Sequence, residues 1–184
     1  ILKEYETYSN YNNLDADFKA LISIGGDGTI LKAATFVRDK NIPIILSVDE
    51  IQKMFDVCEN KKHRLILALL YSCSLRVSEL INLKWENIDR SRMIIYILNA
   101  KGGKDRQVGL NNMLIKMMED YYKEFKTKSF IFSGQFGEQY SDRSVCQVMK
   151  QLASKAGINK RVYTHLIRHC SASHLLDQGT DIHL

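Results

Sequence analysis

Apolar positions recur along the chain in two different rhythms, and the change comes near residue 47. After a polar and aromatic opening, Ala20-Leu21-Ile22-Ser23-Ile24 forms a short apolar run of strand type that meets Gly25-Gly26-Asp27-Gly28. Thr29–Val37 then reads as a helix, Asn41-Ile42-Pro43 breaks it, and Ile44-Ile45-Leu46 predicts a second strand. One β–glycine turn–α–β unit of this kind cannot by itself bury both faces of a parallel sheet.

From Ser47 onward helical spacing takes over. In Ser47-Val48-Asp49-Glu50 a serine is followed three residues later by a glutamate, the pattern of a capping box, which predicts a helix through about Cys58. A long apolar helix is expected from about His63 to Ser72 and a second one near Val77–Leu83. Met93–Ala100 is strand-like, Lys101-Gly102-Gly103-Lys104 is a turn and Asp105–Leu110 is a second strand, which together predict a hairpin. Asn112–Phe125 is an amphipathic helix and Phe130–Phe132 a short apolar stretch. Ser141–Ala156 is a further helix with Gly157 as its cap, and His165–Asp177 is the last, closed near Gly179. The pattern predicts an α+β fold, mainly helical with a small β-hairpin, preceded by a short β-α-β fragment over residues 1–46.

A length of 184 residues suits one domain, or a domain plus a fragment. With 45% apolar and 26% charged residues the composition excludes wholesale disorder. No apolar run reaches the roughly 18–20 residues of a membrane span and no basic-then-apolar leader opens the chain, so no membrane partner is expected. Cys58, Cys73, Cys146 and Cys170 show neither a CxxC pair nor metal-ligand spacing, and they read as reduced thiols of a cytoplasmic protein. Charge is divided unevenly: residues 1–47 hold five basic and six acidic side chains, residues 48–184 hold 21 and 15. The positive excess therefore belongs to the second part alone, where it is compatible with a polyanionic partner or with a mildly basic surface.

Within that second part, Arg76, Lys101, His165 and Arg168 form a set suited to phosphate chemistry. His165 and Arg168 are three residues apart and share one helical face. Two guanidiniums can hold the two non-bridging oxygens of one phosphate by paired hydrogen bonds. A lysine on a turn can reach a leaving oxygen, and an imidazole can move a proton near neutral pH. That is the inventory needed to stabilise an in-line displacement at a phosphodiester without a metal. Each side chain also has a plainer role: Arg76 pairing with Glu79, Lys101 solvated on its turn like Lys104 and Arg106, His165 capping or packing, Arg168 as a surface charge.

The words around these residues carry a resemblance. Ser74-Leu75-Arg76-Val77-Ser78-Glu79-Leu80, with Leu83-Lys84-Trp85 and Ile88-Asp89, resembles the first arginine box of the tyrosine recombinases, the phage integrases and Xer-type proteins. Lys101-Gly102-Gly103-Lys104-Asp105-Arg106-Gln107-Val108 is similar to that family's β-hairpin lysine segment, and Thr164-His165-Leu166-Ile167-Arg168-His169 to its H-x-x-R box. The boxes fall in the family's order over residues 47–184. The resemblance implies a catalytic domain that cuts and rejoins double-stranded DNA at specific sites through a 3′-phosphotyrosine, without metal or nucleotide cofactor, among other recombinase protomers. It implies that Arg76 and Arg168 bind the scissile phosphate, Lys101 assists the 5′-oxygen leaving group, His165 acts in proton transfer or phosphate stabilisation, and Glu79 orients the arginine. Two departures stand out. Ser74 stands where glycine is usual, and no tyrosine follows Tyr163, so no candidate nucleophile is found in the expected place and turnover by the chain alone is not expected.

The glycine-rich turn belongs to another pattern. Leu21–Leu31, with Gly25, Gly26, Asp27 and Gly28, resembles the nucleotide-binding segment of NAD kinases, in which the glycines approach phosphates and the aspartate serves phosphoryl transfer. The resemblance covers about residues 1–45, and a phosphate loop without an opposite wall does not close around a nucleotide. A fused or rearranged reading frame is the simplest account of the two resemblances. The functions left open are thus the recombinase domain, an NAD-kinase-like phosphotransferase fragment, a non-catalytic DNA-binding or regulatory fragment, and a fusion without function.

Overall fold

Ser47 begins the first helix in the way its spacing predicts. In α1 (Val48–Asp56) the Glu50 N–H donates to Ser47 Oγ at 3.1 Å, and the Ser47 N–H donates to the Glu50 carboxylate at 2.7 Å, so both halves of the capping box form. The computed structural model describes residues 45–98, 105–134 and 138–177. By its internal contacts the chain divides into two units, Leu46–Ser171 and a second made of Ile1–Ile45 with Ala172–Leu184. The expected strand Ala20–Ile24, the glycine turn and the helix Thr29–Val37 lie outside the described residues. Of the expected strand Ile44–Leu46, the described Ile45 and Leu46 are irregular; Leu46 is buried and donates its N–H to Cys170 Sγ at 3.3 Å. A strand needs a partner ladder, and among the described residues the sheet pairs only within itself.

The centre of the Leu46–Ser171 unit is α2 (Lys61–Ser72), whose six consecutive residues Leu65 to Leu70 are all buried. A helix that is apolar on every side has to be wrapped, and α3 (Val77–Asn82), α4 (Asn112–Phe125) and α5 (Asp142–Lys155) pack on it, with α1 against α5. The helix starts two residues ahead of the expected His63 because the Asn60 side chain accepts the His63 N–H at 3.1 Å and caps it.

Between α3 and α4 lies a three-stranded antiparallel sheet in the order β1 (Ile88–Asp89), β2 (Ile94–Ile97), β3 (Arg106–Gly109). The expected hairpin is β2 and β3, in the register Ile95 opposite Val108 and Ile97 opposite Arg106. Strand β1 has no counterpart among the expected elements, since two residues carry no periodicity; it exists because the chain reverses through Met93, at φ 58°, and lays Ile94 beside Asp89. Trp85 ties this region to α4. Its Nε1 donates to Thr127 Oγ1 at 2.9 Å, and its ring joins the buried Tyr121, which in turn packs 4.6 Å from Phe125 and 5.6 Å from Phe132 between ring centres.

Helix α5 starts at a serine cap, where Ser141 Oγ accepts the Ser144 N–H at 3.1 Å. It ends as its glycine predicts: Gly157 adopts φ +70°, and the Ile158 N–H returns to the Ala153 carbonyl at 2.9 Å. The chain then enters α6 (Thr164–Asp177), which presents Leu166, Ile167 and Cys170 to the core. Among the described residues no helix is long and apolar enough to cross a membrane.

Candidate active site

The site is built around the turn from α2 to α3. Cys73 caps α2, Ser74 takes φ 47° and Leu75 is buried, which delivers Arg76 to the N-cap of α3. The left-handed conformation at Ser74 is the one that glycine adopts without steric cost, so the sequence departure falls where the backbone most resists a side chain. Ser74 is held on two sides. Its Oγ lies 2.6 Å from Ser171 Oγ, and its carbonyl accepts a hydrogen bond from Arg168 Nη1. One turn therefore positions the first arginine through the chain and the second through a hydrogen bond.

Glu79, in the first turn of α3, is the electrostatic centre of the site. Its side chain is only 5% exposed, against 23% for Arg76 and 30% for Arg106. The Arg76 N–H donates to Oε2 at 2.8 Å and Arg76 Nη1 to Oε1 at 3.0 Å. A guanidinium has no acceptor, so Arg76 cannot return the bond, and this is half a capping box. Arg106 closes on the same carboxylate as a fork, Nη1 to Oε1 at 3.0 Å and Nη2 to Oε2 at 2.8 Å. A buried carboxylate with four hydrogen bonds is fully satisfied.

The pairing of Arg76 with Glu79 is thus real, and it leaves Arg76 lining an open cleft of about 630 Å³ with Glu79, Lys84, Glu86, Tyr96 and Leu98. The expectation for Arg106 is overturned: it is no solvated turn residue. It sits in β3 opposite Ile97 and shares the inner face of the strand with Val108. The signal was present in the alternation of the strand, because an arginine two residues from an inward valine points inward as well and needs a carboxylate there.

His165, the second residue of α6, is exposed, and Arg168 one turn later is half-buried. The shared face expected from their spacing is the one left over when Leu166, Ile167 and Cys170 turn to the core. The structure brings the Arg76 and Arg168 segments together at Ser74. Lys101 lies outside the described residues, and so do Gly25, Gly26, Asp27 and Gly28. The thiols near the turn are buried and free, and burial pushes Cys73 up to about 12 and Cys170 up to about 11. Neither supplies a thiolate at neutral pH.

The phage integrase family model matches residues 45–184, and that of the ATP-NAD kinase N-terminal domain matches residues 3–56. Tyrosine recombinase XerA of Pyrococcus horikoshii is 36% identical over 149 residues, covering 79% of this chain and 52% of that protein. Among solved structures, XerA recombinase superposes with a TM-score of 0.69 at 25% identity, over 83% of this chain and 62% of that one. XerH site-specific recombinase bound to difH substrate superposes with a TM-score of 0.65 at 21% identity, over 74% of this chain and 44% of that one. The chain spans about half the length of the curated relatives it matches. With its α+β fold, its boxes in order and a family match over three quarters of its length, the chain belongs to the phage integrase family.

Proposed function

We propose that residues 47–184 form the catalytic domain of a site-specific tyrosine recombinase, which binds double-stranded DNA in the cytoplasm, alongside other recombinase protomers, and holds the phosphate at which strands are cut and rejoined. Arg76 and Arg168 take the two non-bridging oxygens, Lys101 serves the 5′-oxygen leaving group, and His165 moves a proton or stabilises the phosphate. The observation that carries this reading is the Ser74 turn, which places Arg76 two residues on and binds Arg168 from 94 residues away. None of these four side chains is the nucleophile; when the oxygen of a tyrosine supplied to the site attacks phosphorus, the P–O5′ bond breaks, the 5′-oxygen leaves with a proton and a 3′-phosphotyrosine forms. Negative charge then builds on the non-bridging oxygens, where each positioned guanidinium contributes about 2.7–4 kcal/mol, by analogy with oxyanion donors. The names of the relatives support the class of reaction. The kinase match ends at residue 56, ahead of all four side chains, and favours no phosphotransferase role for them.

Duplex-DNA binding by fluorescence anisotropy, at three salt concentrations, tests the reading on the whole chain. Affinity is expected to fall steeply with salt. In the Arg76→Ala/Arg168→Ala variant it should be weaker, with a slope of log K against log salt smaller by about 1.8, two phosphate contacts at about 0.9 each. An unchanged affinity and slope in that variant would overturn the assignment.

A further inference from the structure

The two guanidiniums on Glu79 pose a question of charge. Arg76 alone reaches both carboxylate oxygens of Glu79, one through its N–H and one through Nη1, and brings one positive charge to the one negative charge. The second arginine is therefore not needed to cap α3 or to balance the charge of the carboxylate, although it fills the two acceptor sites that Arg76 leaves. Nor is Arg106 a natural choice for its position, an inward site of β3 two residues from Val108 and opposite Ile97, where an apolar residue would pack. Its effect is seen in the charges that line the cleft. Among the described residues of the lining, Arg76 and Glu79 carry opposite charges, and the two other charged groups, Lys84 and Glu86, pair with each other at 3.3 Å. Arg106 is not part of that lining, yet its fork on Glu79 brings the three side chains Arg76, Glu79 and Arg106 together to a net charge of +1.

We propose that Arg106 is a positioning residue that acts through Glu79: it offsets the carboxylate that would otherwise neutralise Arg76, so that Arg76 meets a DNA phosphate as part of a net positive cluster. The proposal rests on the reading of Arg76 as a phosphate ligand and goes beyond it, since Arg106 acts without touching the phosphate. A guanidinium suits the task because it keeps its charge at every working pH and its planar fork binds both oxygens at once. Because Arg106 lies on β3, the same contact fastens the hairpin strand to the helix that carries Arg76.

The test is duplex-DNA binding by the whole chain over a salt series, for Arg76→Ala, Arg106→Gln, Arg106→Lys, Glu79→Gln and Glu79→Gln/Arg106→Gln, each checked for cooperative thermal unfolding. Arg106→Gln is expected to lower the salt slope by about 0.9, the amount of one phosphate contact, as Arg76→Ala does. That corresponds to a roughly 3.5-fold smaller loss of affinity between about 50 and 200 mM salt. The double variant Glu79→Gln/Arg106→Gln removes one charge of each sign and is expected to return to the wild-type slope. Arg106→Lys keeps the charge and loses the fork, and is expected to stay near wild type. A merely structural clamp makes different demands: Lys and Gln would then be equally damaging, and the second substitution would add to the first instead of reversing it. Either result would overturn the proposal, as would a wild-type slope in Arg106→Gln while Arg76→Ala is impaired. An Arg76→Ala variant that binds like wild type would remove the phosphate reading itself, and this inference with it. Should Arg106→Gln fail to fold, the comparison of Arg106→Lys with wild type decides the matter, a lost slope there refuting the charge argument.

Discussion

The turn at Ser74 allows its strain and its hydrogen bond to be weighed separately. An L-residue in the left-handed region costs about 1–2 kcal/mol, and Ser74 sits there at φ 47°. Against that cost stands the bond between Ser74 Oγ and Ser171 Oγ, at 2.6 Å, which contributes about 0.5–1.5 kcal/mol net. Ser74→Ala removes the bond and keeps the strain, so it should destabilise the fold by about 1 kcal/mol. Ser171→Ala removes the same bond from the other side and should cost a similar amount. Ser74→Gly also loses the bond but relieves the strain, at the expense of about 0.4–1 kcal/mol for the freer unfolded chain. Taken together, the glycine variant should be about 0.8 kcal/mol more stable than the alanine variant and close to wild type. Urea unfolding with matched m-values measures these differences. The carbonyl that accepts from Arg168 is backbone and survives in every variant, so DNA affinity in Ser74→Gly should stay within about twofold of wild type. A glycine variant no more stable than the alanine variant would show that position 74 carries no strain, and the account of its departure from glycine would fall.

Two further outcomes follow from other turns and caps. Gly157 has φ +70° and nothing within 4 Å of where a Cβ would stand, so Gly157→Ala is penalised for backbone conformation alone, a loss of about 1 kcal/mol by chemical denaturation; a neutral substitution would contradict the left-handed cap of α5. At Glu50, burial acts to raise the carboxyl pKa, but the hydrogen bond from Lys160, the Ser47 N–H and the charges of Lys160 and Lys53 outweigh it and hold the group below its ordinary 4.5. A folded pKa below the unfolded one means stability that is present above about pH 4.5 and is lost as pH falls through the depressed value. Glu50→Gln should therefore be less stable than wild type at neutral pH, with the gap closing on acidification; a gap independent of pH would refute the ion pair with Lys160.

What could be read along the chain was whatever the backbone settles within a few residues. Ser47 with Glu50, the amphipathic run Asn112–Phe125 and the glycine at 157 each satisfy helix ends with groups at most five positions away, and all three stand in the structure as expected. The resemblance of the boxes supplied the rest of the architecture, because a family pattern encodes contacts that no single window contains. Where neither applied, the reading failed in ways that physics explains. Strand β1 is two residues long, and it is held by pairing with Ile94 and Ile95, so its evidence lies on another strand. The bond from Arg168 to the Ser74 carbonyl spans 94 residues and uses a backbone group, which has no sequence signature at all. Arg106 is the instructive case, because the alternation around it did assign the inward face and an inward charge requires a counter-charge. Alternation gives the sign of the partner and not its address. Glu79 lies 27 residues upstream, already accounted for locally by Arg76, and only the fork of Arg106 from β3 onto α3 shows that one carboxylate serves both. A local pairing that looks complete is thus the very place where a second, distant partner goes unseen.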